Sequence, residues 1–231
     1  MFATLNFRTA LATGLATTLV ALILHFTPNV GNKAEAAAPG LSQEDIQTIL
    51  NQAEAGANAT DSGDGLRSNT DLSRGPVVTR KTKMHIAVVG RDGKLLKVLS
   101  MPDAWVGSID IAIAKARTAA FFSSDENALT SRIIGVLSQA HAPDGSGGAG
   151  PLWGIGNSNQ VGITGSPEFR NGLITFPGGV PLYKGGKLVG GVGVSGDGVD
   201  QDEAVAFAGA AGFEPGASVV KLGFPDSSDS S

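Results

Sequence analysis

Apolar residues near the start of the chain recur at helical spacing. They are Ile46, Ile49, Leu50, Ala53 and Ala57, which fall every three or four positions and so share one face of a helix. The preceding segment, Ser42-Gln43-Glu44-Asp45, is a capping box, because the serine hydroxyl and the Asp45 carboxylate can each bond a free backbone amide. The pattern predicts an amphipathic helix that runs to about Asn58.

Two pairs of short apolar runs predict β-hairpins. The first pair is Met84–Val89 and Leu95–Met101, with the turn signal Asp92-Gly93 between them. The second pair, Val180–Tyr183 and Leu188–Ser195, is joined by a Lys-Gly-Gly-Lys turn. We expect each pair to form two antiparallel strands.

Three further helices are predicted: one that Ser108 caps and that reaches about Ser123, one from Leu129 to Ser138, and one from Asp200 to Ala211. Residues 59–83 and 124–171 are otherwise predicted to be long loops or insertions, because Gly, Pro, Asn, Asp and Ser are frequent there. The Asp/Ser tail, residues 225–231, is predicted to be disordered. Hairpins alternating with helices indicate a single domain of the α/β (α+β) class, an antiparallel sheet covered by helices.

The N-terminus has the features of a secretory signal peptide. Arg8 precedes an uncharged run from Thr9 to Leu24, which is shorter than the roughly 20 residues of a membrane span. Ala34-Glu35-Ala36 is an A-x-A site, so we expect cleavage after Ala36 and a signal peptide of residues 1–36. An uncleaved anchor is the alternative. The expected location is the periplasm or the outside of the cell, with no membrane attachment after cleavage.

Composition excludes several classes of function. The net charge of −4 argues against nucleic acid and anionic membranes as partners. The chain has 0 cysteines, so disulfides, thiolate-bound zinc and iron–sulfur clusters are excluded.

Four stretches, in order, resemble the GlcG/HbpS-like haem-binding family. They are Ile86–Val89 with its Asp92-Gly93 turn, Ser108–Ala120, Phe176–Leu182, and Gly190–Gly196 followed by Gln201-Asp202-Glu203-Ala204. The resemblance covers roughly residues 41–212, within an expected domain of residues 37–224. It implies a profilin-like fold, a homo-oligomer, and haem or a related tetrapyrrole as ligand.

Haem iron needs an axial ligand, usually histidine and sometimes methionine or tyrosine. After cleavage the chain offers His85 and His141, with Met101 and Tyr183 as weaker candidates. His141, in a Gly/Pro-rich segment, is the candidate metal ligand; the alternative is a solvated loop residue. If it does not bind iron, His85 is an ordinary histidine at a strand edge. Met101 and Tyr183 are packing residues in the same alternative.

Two cations lie on opposite faces of the predicted helix after Ser108. Lys115 and Arg117 are about 200° apart around the axis and both have apolar neighbours. A buried charge needs a partner. We expect either an internal ion pair or subunit interface, or contact with an anionic group of a ligand such as a haem propionate.

Two other motifs have structural interpretations. Gly191-x-Gly193-x-x-Gly196 matches the dinucleotide fingerprint by letter, but too little chain follows for the required parallel sheet, so close backbone packing is the better account. Asp197, Asp200, Asp202 and Glu203 depart from the EF-hand spacing and are better explained as helix-capping residues.

The sequence thus predicts an exported haem-binding protein, in haem sensing, storage or as an accessory to an oxidoreductase. An enzyme or binding protein for a small organic acid, with the anion held by Lys115 and Arg117 in the same pocket, is the alternative. A third class of function is a purely structural oligomer. No motif in the sequence shows whether the protein is an enzyme.

Overall fold

A computed structural model describes residues 40–62, 81–139, 152, 153, 155 and 172–225. These residues belong to one compact unit, residues 36–231. Its helices are α1 (Gln43–Ala59), α2 (Ile109–Phe122), α3 (Ser131–Leu137) and α4 (Val199–Gly209). Its strands are β1 (His85–Gly90), β2 (Leu95–Ser100), β3 (Asn127–Leu129), β4 (Gly179–Lys184), β5 (Lys187–Ser195) and β6 (Val220–Leu222).

The main sheet is antiparallel, with strand order β2-β1-β5-β4. The side chains of alternate β1 residues point to opposite faces of the sheet, as the period of two in a strand requires. Ile86 and Val88 belong to a core shared with α1 and α4, whereas Ala87 and Val89 pack against α2. The sheet therefore lies between two helical layers. The predicted α+β class, antiparallel sheet and helical cover are confirmed.

The glycines of β5 let α2 lie directly against the sheet. A Cβ atom on Gly193 would stand 2.1 Å from the carbonyl oxygen of Ala112 and 2.4 Å from the amide nitrogen of Ala116. A Cβ atom on Gly191 would stand 2.4 Å from the carbonyl oxygen of Ala116. The predicted close backbone packing at Gly191 and Gly193 is therefore confirmed.

The capping box of α1 is confirmed. The Asp45 amide donates to the Ser42 hydroxyl at 3.1 Å, and the Ser42 amide donates to the Asp45 carboxylate at 2.7 Å. Ser108 occupies the N-cap position of α2, as predicted, but its side chain does not cap the helix. Ser108 has helical backbone angles (φ −90°, ψ −7°) and makes no side-chain capping bond, because a 3₁₀ turn over Val106–Ser108 leads straight into the helix.

Residues 124–139 contain more regular structure than a loop or insertion. Thr130 caps α3, its hydroxyl accepting from the Ile133 amide. Immediately before it, β3 pairs in parallel with β6 to form a second, two-stranded sheet. Neither three-residue strand is predicted, because so short a run carries no detectable alternation. In the described part of the chain, no helix is long and apolar enough to cross a membrane.

Replacing Asp45 by asparagine should change how stability depends on acid. The Lys184 ammonium lies 2.6 Å from Asp45 Oδ2, and the Ser42 amide and hydroxyl donate to the same oxygen at 2.7 and 2.8 Å; together they lower the pKa of Asp45 from 3.8 to about 2. A depressed pKa stabilises the fold above the ordinary value, and this contribution is lost as pH falls through about 2. In urea titrations at pH 6, 4 and 2, wild type should lose more stability than Asp45→Asn. Parallel losses would show that Asp45 does not govern the acid response.

Candidate functional site

A cavity of about 190 Å³ opens where the end of β5 meets the starts of α2 and α4. Its apolar walls are Trp105, Ile111, Phe176 and Val199. Its polar lining residues are Ser108, Lys115, Ser195, Asp197 and Asp202, with Gly196 and Gly198 between them. The cavity therefore joins apolar walls to a small set of charged and hydroxyl groups, as ligand sites do.

A buried ion pair forms the inner end of this cavity. Lys115 Nζ lies 2.6 Å from Asp202 Oδ2, and both side chains are only 2% exposed. Lys115 Nζ also donates to the carbonyl oxygen of Val194 at 3.0 Å. Two of the three ammonium donors are thus used within the chain, and the predicted internal ion pair of Lys115 is confirmed.

Burial acts on both members of the pair. Removal from water lowers the pKa of Lys115, although Asp202 opposes the shift. The same desolvation raises the pKa of Asp202 against the influence of Lys115. Burial thus disfavours the charge on each group, and the partner's opposite charge favours it.

The loop before α4 is held by the two aspartates of the cavity. The Asp197 amide donates to Asp202 Oδ1 at 3.0 Å, and the Gly198 amide donates to Asp197 Oδ1 at 2.8 Å. The other oxygen of Asp197 accepts from the Ser62 hydroxyl at 2.6 Å. The amides of the two residues that precede α4 are therefore bonded to carboxylates of the chain.

Arg117 does not reach the cavity. Its Nε atom donates to the carbonyl oxygen of Gly93 at 2.9 Å, at the turn of the first hairpin, and burial lowers its pKa. The position follows from the helix, since residues 115 and 117 point to opposite sides of α2. Of the two predicted cations, only Lys115 lines the candidate site.

The candidate iron ligands are also dispersed. His85 is buried, with Nδ1 2.8 Å from the Ser100 hydroxyl and Nε2 3.0 Å from the Trp105 carbonyl oxygen. Met101 is in the core, where its sulfur accepts from the Met84 amide. Tyr183 donates to the Ser124 carbonyl oxygen at 2.7 Å, and burial raises its pKa to about 12. His141 lies outside the described residues, and iron ligation stays a prediction for all four.

The remaining acidic residues of α4 form ion pairs. Arg132 contacts Asp200 and Glu203, each at 2.6 Å. Within the described ranges, no cluster of three or more His, Cys, Asp or Glu side chains could hold a metal ion. The sequence predicted these acidic residues at the start of a helix but did not identify Asp202 as the partner of Lys115. A lysine in an otherwise apolar helix indicates only that such a partner must exist.

The sequence matches a known protein family. Residues 73–211 match the family described as haem-degrading protein HbpS-like. The chain, a domain in which a four-stranded sheet lies between helices, belongs to that family. An uncharacterised 15.0 kDa protein from the dhaT–dhaS intergenic region of Citrobacter freundii is 32% identical over 120 residues, which is 52% of this chain and 68% of that protein.

Two solved structures are similar to this protein. The PduOC–haem complex is 25% identical, with a TM-score of 0.50 over 77% of this chain and 98% of that one. A double mutant of HbpS from Streptomyces reticuli is 20% identical, with a TM-score of 0.48 over 89% of this chain and 99% of that one.

Proposed function

We propose that this protein is exported and binds haem, as a homo-oligomer that senses or stores haem or assists an oxidoreductase. The observation that carries haem binding is family membership, joined by the similarity to a domain solved as a haem complex. The signal-peptide pattern of residues 1–36 supports export. The apolar walls beside Lys115 would suit the edge of a large apolar ligand that carries an anionic group.

The described residues do not form a complete haem site by themselves. The cavity of about 190 Å³ is smaller than the roughly 300–1,000 Å³ of ordinary ligand pockets. His85, Met101 and Tyr183 already have hydrogen-bond partners that an iron bond would displace. We therefore assign the iron ligand to His141.

Titration with haemin, followed by gel filtration and absorption spectroscopy, tests this function. The exported protein should start at Ala37 by intact mass and retain a saturable haem band. We expect His141→Ala to lose or shift that band and His85→Ala to keep it, because both ring nitrogens of His85 already have hydrogen-bond partners. A band unchanged in both variants would exclude histidine ligation, and no retained band in wild type would reject haem binding.

The cavity supports a second function, in which the protein is an enzyme or a binding protein for a small organic molecule. Its volume suits such a ligand better than a tetrapyrrole. The sequence predicted a small organic acid as ligand, held by both Lys115 and Arg117. Of these two residues only Lys115 lines the cavity, and Asp202 already forms an ion pair with it. The chemical class of the ligand must then follow from the charges and donors of the cavity.

A further inference from the structure

We propose that the cavity at the start of α4 binds a small uncharged alcohol or carbonyl compound, whose oxygen is held by the hydroxyls of Ser108 and Ser195. This inference rests on the small-ligand role proposed for the cavity, names the chemical class of its ligand, and is independent of haem binding. Two observations carry it: two buried hydroxyls line the cavity without a partner among the described residues, and the charged groups beside them already have partners.

The two hydroxyls reach the cavity from different elements. Ser108 ends the 3₁₀ turn before α2, Ser195 ends β5, and each is only 4% exposed. Neither side chain has a hydrogen-bond partner in the part of the chain that the structure describes. Buried polar groups are normally paired, so a ligand that bonds both hydroxyls would account for them. Because a hydroxyl both donates and accepts, the pair can hold the oxygen of an alcohol or of a carbonyl group.

The charged groups of the lining are bonded within the chain. Lys115 Nζ lies 2.6 Å from Asp202 Oδ2, and Asp202 Oδ1 accepts from the Asp197 amide at 3.0 Å. The two carboxylate oxygens of Asp197 accept from the Gly198 amide and the Ser62 hydroxyl. A ligand that carries a charge would therefore have to displace a bond that the protein already makes, whereas an uncharged ligand leaves all of them in place.

The walls also disfavour a charged ligand. The rest of the lining is apolar and is formed by Trp105, Ile111, Phe176 and Val199. An ion that leaves water for such surroundings loses its hydration, which is far more costly than the desolvation of a neutral oxygen. The two serine hydroxyls can replace the hydrogen bonds that an alcohol or carbonyl oxygen gives up.

The exposure of the lining sets the orientation of the ligand. The two serines are almost fully buried, whereas Phe176 and Val199 are 52% and 43% exposed. The hydroxyls therefore lie in the inner part of the cavity, and the apolar side chains lie at its mouth. The ligand enters with its oxygen first, and its hydrocarbon body covers the apolar surface of the mouth.

The volume sets the size of the ligand. A cavity of about 190 Å³ has room for about six groups the size of water. One head group and a body of about four carbons fill that space. 1-Butanol and butanone carry the two neutral head groups, while n-butylammonium and butyrate carry the two charges, so the four compounds form a matched series of probes.

The test is a ligand-observed NMR titration of the haem-free full chain with the four probes at pH 7 and 0.15 M salt. We expect saturable binding of 1-butanol or butanone with a dissociation constant on the order of millimolar. Both ions should bind at least about tenfold more weakly, because each must give up its hydration. An ion that binds as tightly as the better neutral probe would overturn the inference and leave the small-ligand role standing. No saturable binding of any probe would reject both, and haemin retention is measured separately.

Variants locate the binding. Ser108→Ala and Ser195→Ala should each weaken the better neutral probe about three- to tenfold and keep the urea midpoint of wild type, since neither hydroxyl bonds a described residue. Ser138→Ala is the matched control, because this buried serine bonds the Gly135 carbonyl oxygen and does not line the cavity. Ile111→Phe should fill the cavity and weaken all binding. Unchanged binding in both cavity serine variants, or in Ile111→Phe, would place the ligand elsewhere and overturn the proposal.

Discussion

Lys115→Met should destabilise the protein by about 3–5 kcal/mol at pH 7, because it leaves the buried Asp202 carboxylate without its cation. The methionine fills most of the space of the lysine, so the loss reports the unpaired charge and not a void. Urea unfolding followed by far-UV circular dichroism measures it. Lys97→Met is the matched control, since Lys97 is exposed and bonds only Gln47 among the described residues, and its effect should stay within about 0.5 kcal/mol.

The double variant Lys115→Met/Asp202→Asn should recover most of that loss. Asparagine removes the charge but keeps an oxygen to accept from the Asp197 amide. The single variant should also depend on pH. Burial raises the pKa of Asp202, so the folded state takes up a proton before the unfolded state does, and the loss should shrink as pH falls from 7 towards 4. A loss under 1 kcal/mol at pH 7, or one insensitive to pH, would contradict a tightly coupled pair.

Gly193→Ala should prevent folding or destabilise the protein by about 3 kcal/mol or more. The new methyl would overlap the Ala112 carbonyl oxygen, which stands 2.1 Å from its position, and backbone inside a helix cannot move aside as a side chain can. Relief requires α2 to separate from β5, which opens the apolar contact between helix and sheet.

Gly216→Ala provides the control for this change. Its Cβ would meet nothing within 4 Å, so the midpoint of urea unfolding should stay near that of wild type. Soluble yield, circular dichroism and urea midpoint should be compared for both variants. A Gly193→Ala protein with the wild-type midpoint would mean that α2 does not rest on β5 as closely as described.

The elements with strong periodic patterns could be predicted from the sequence. The α1 face, both hairpins and the α4 helix follow from apolar spacing and turn residues, and their bounds differ by one or two residues from those observed. What escaped prediction depends on tertiary contacts. The three-residue strands β3 and β6 exist because each finds the other across some ninety residues of chain, and no local pattern encodes such a partner.

The site shows the same division. Because Lys115 lies in an apolar helix, the sequence indicates that it needs a partner, but its partner is 87 residues away and is chosen by the packing of α4. Arg117 is equally buried, but it points to the opposite side of α2, where its Nε atom donates to the Gly93 carbonyl oxygen. The cavity itself arises where three elements meet, so Trp105, Phe176 and Ser195 carry no signal in the sequence that marks them as its walls.

The strand order bears on how this protein folds as it is made. The central strand β1 pairs with β2 within a hairpin, but its other edge pairs with β5, where His85 is opposite Ser195, about 110 residues later. At roughly 5–20 residues per second, that partner is synthesised about 5–20 s after β1. During this interval one edge of an apolar strand is open to other chains. The domain therefore completes its sheet only when nearly all of it has been synthesised, and pairing between such distant strands is the kind of contact that slows folding.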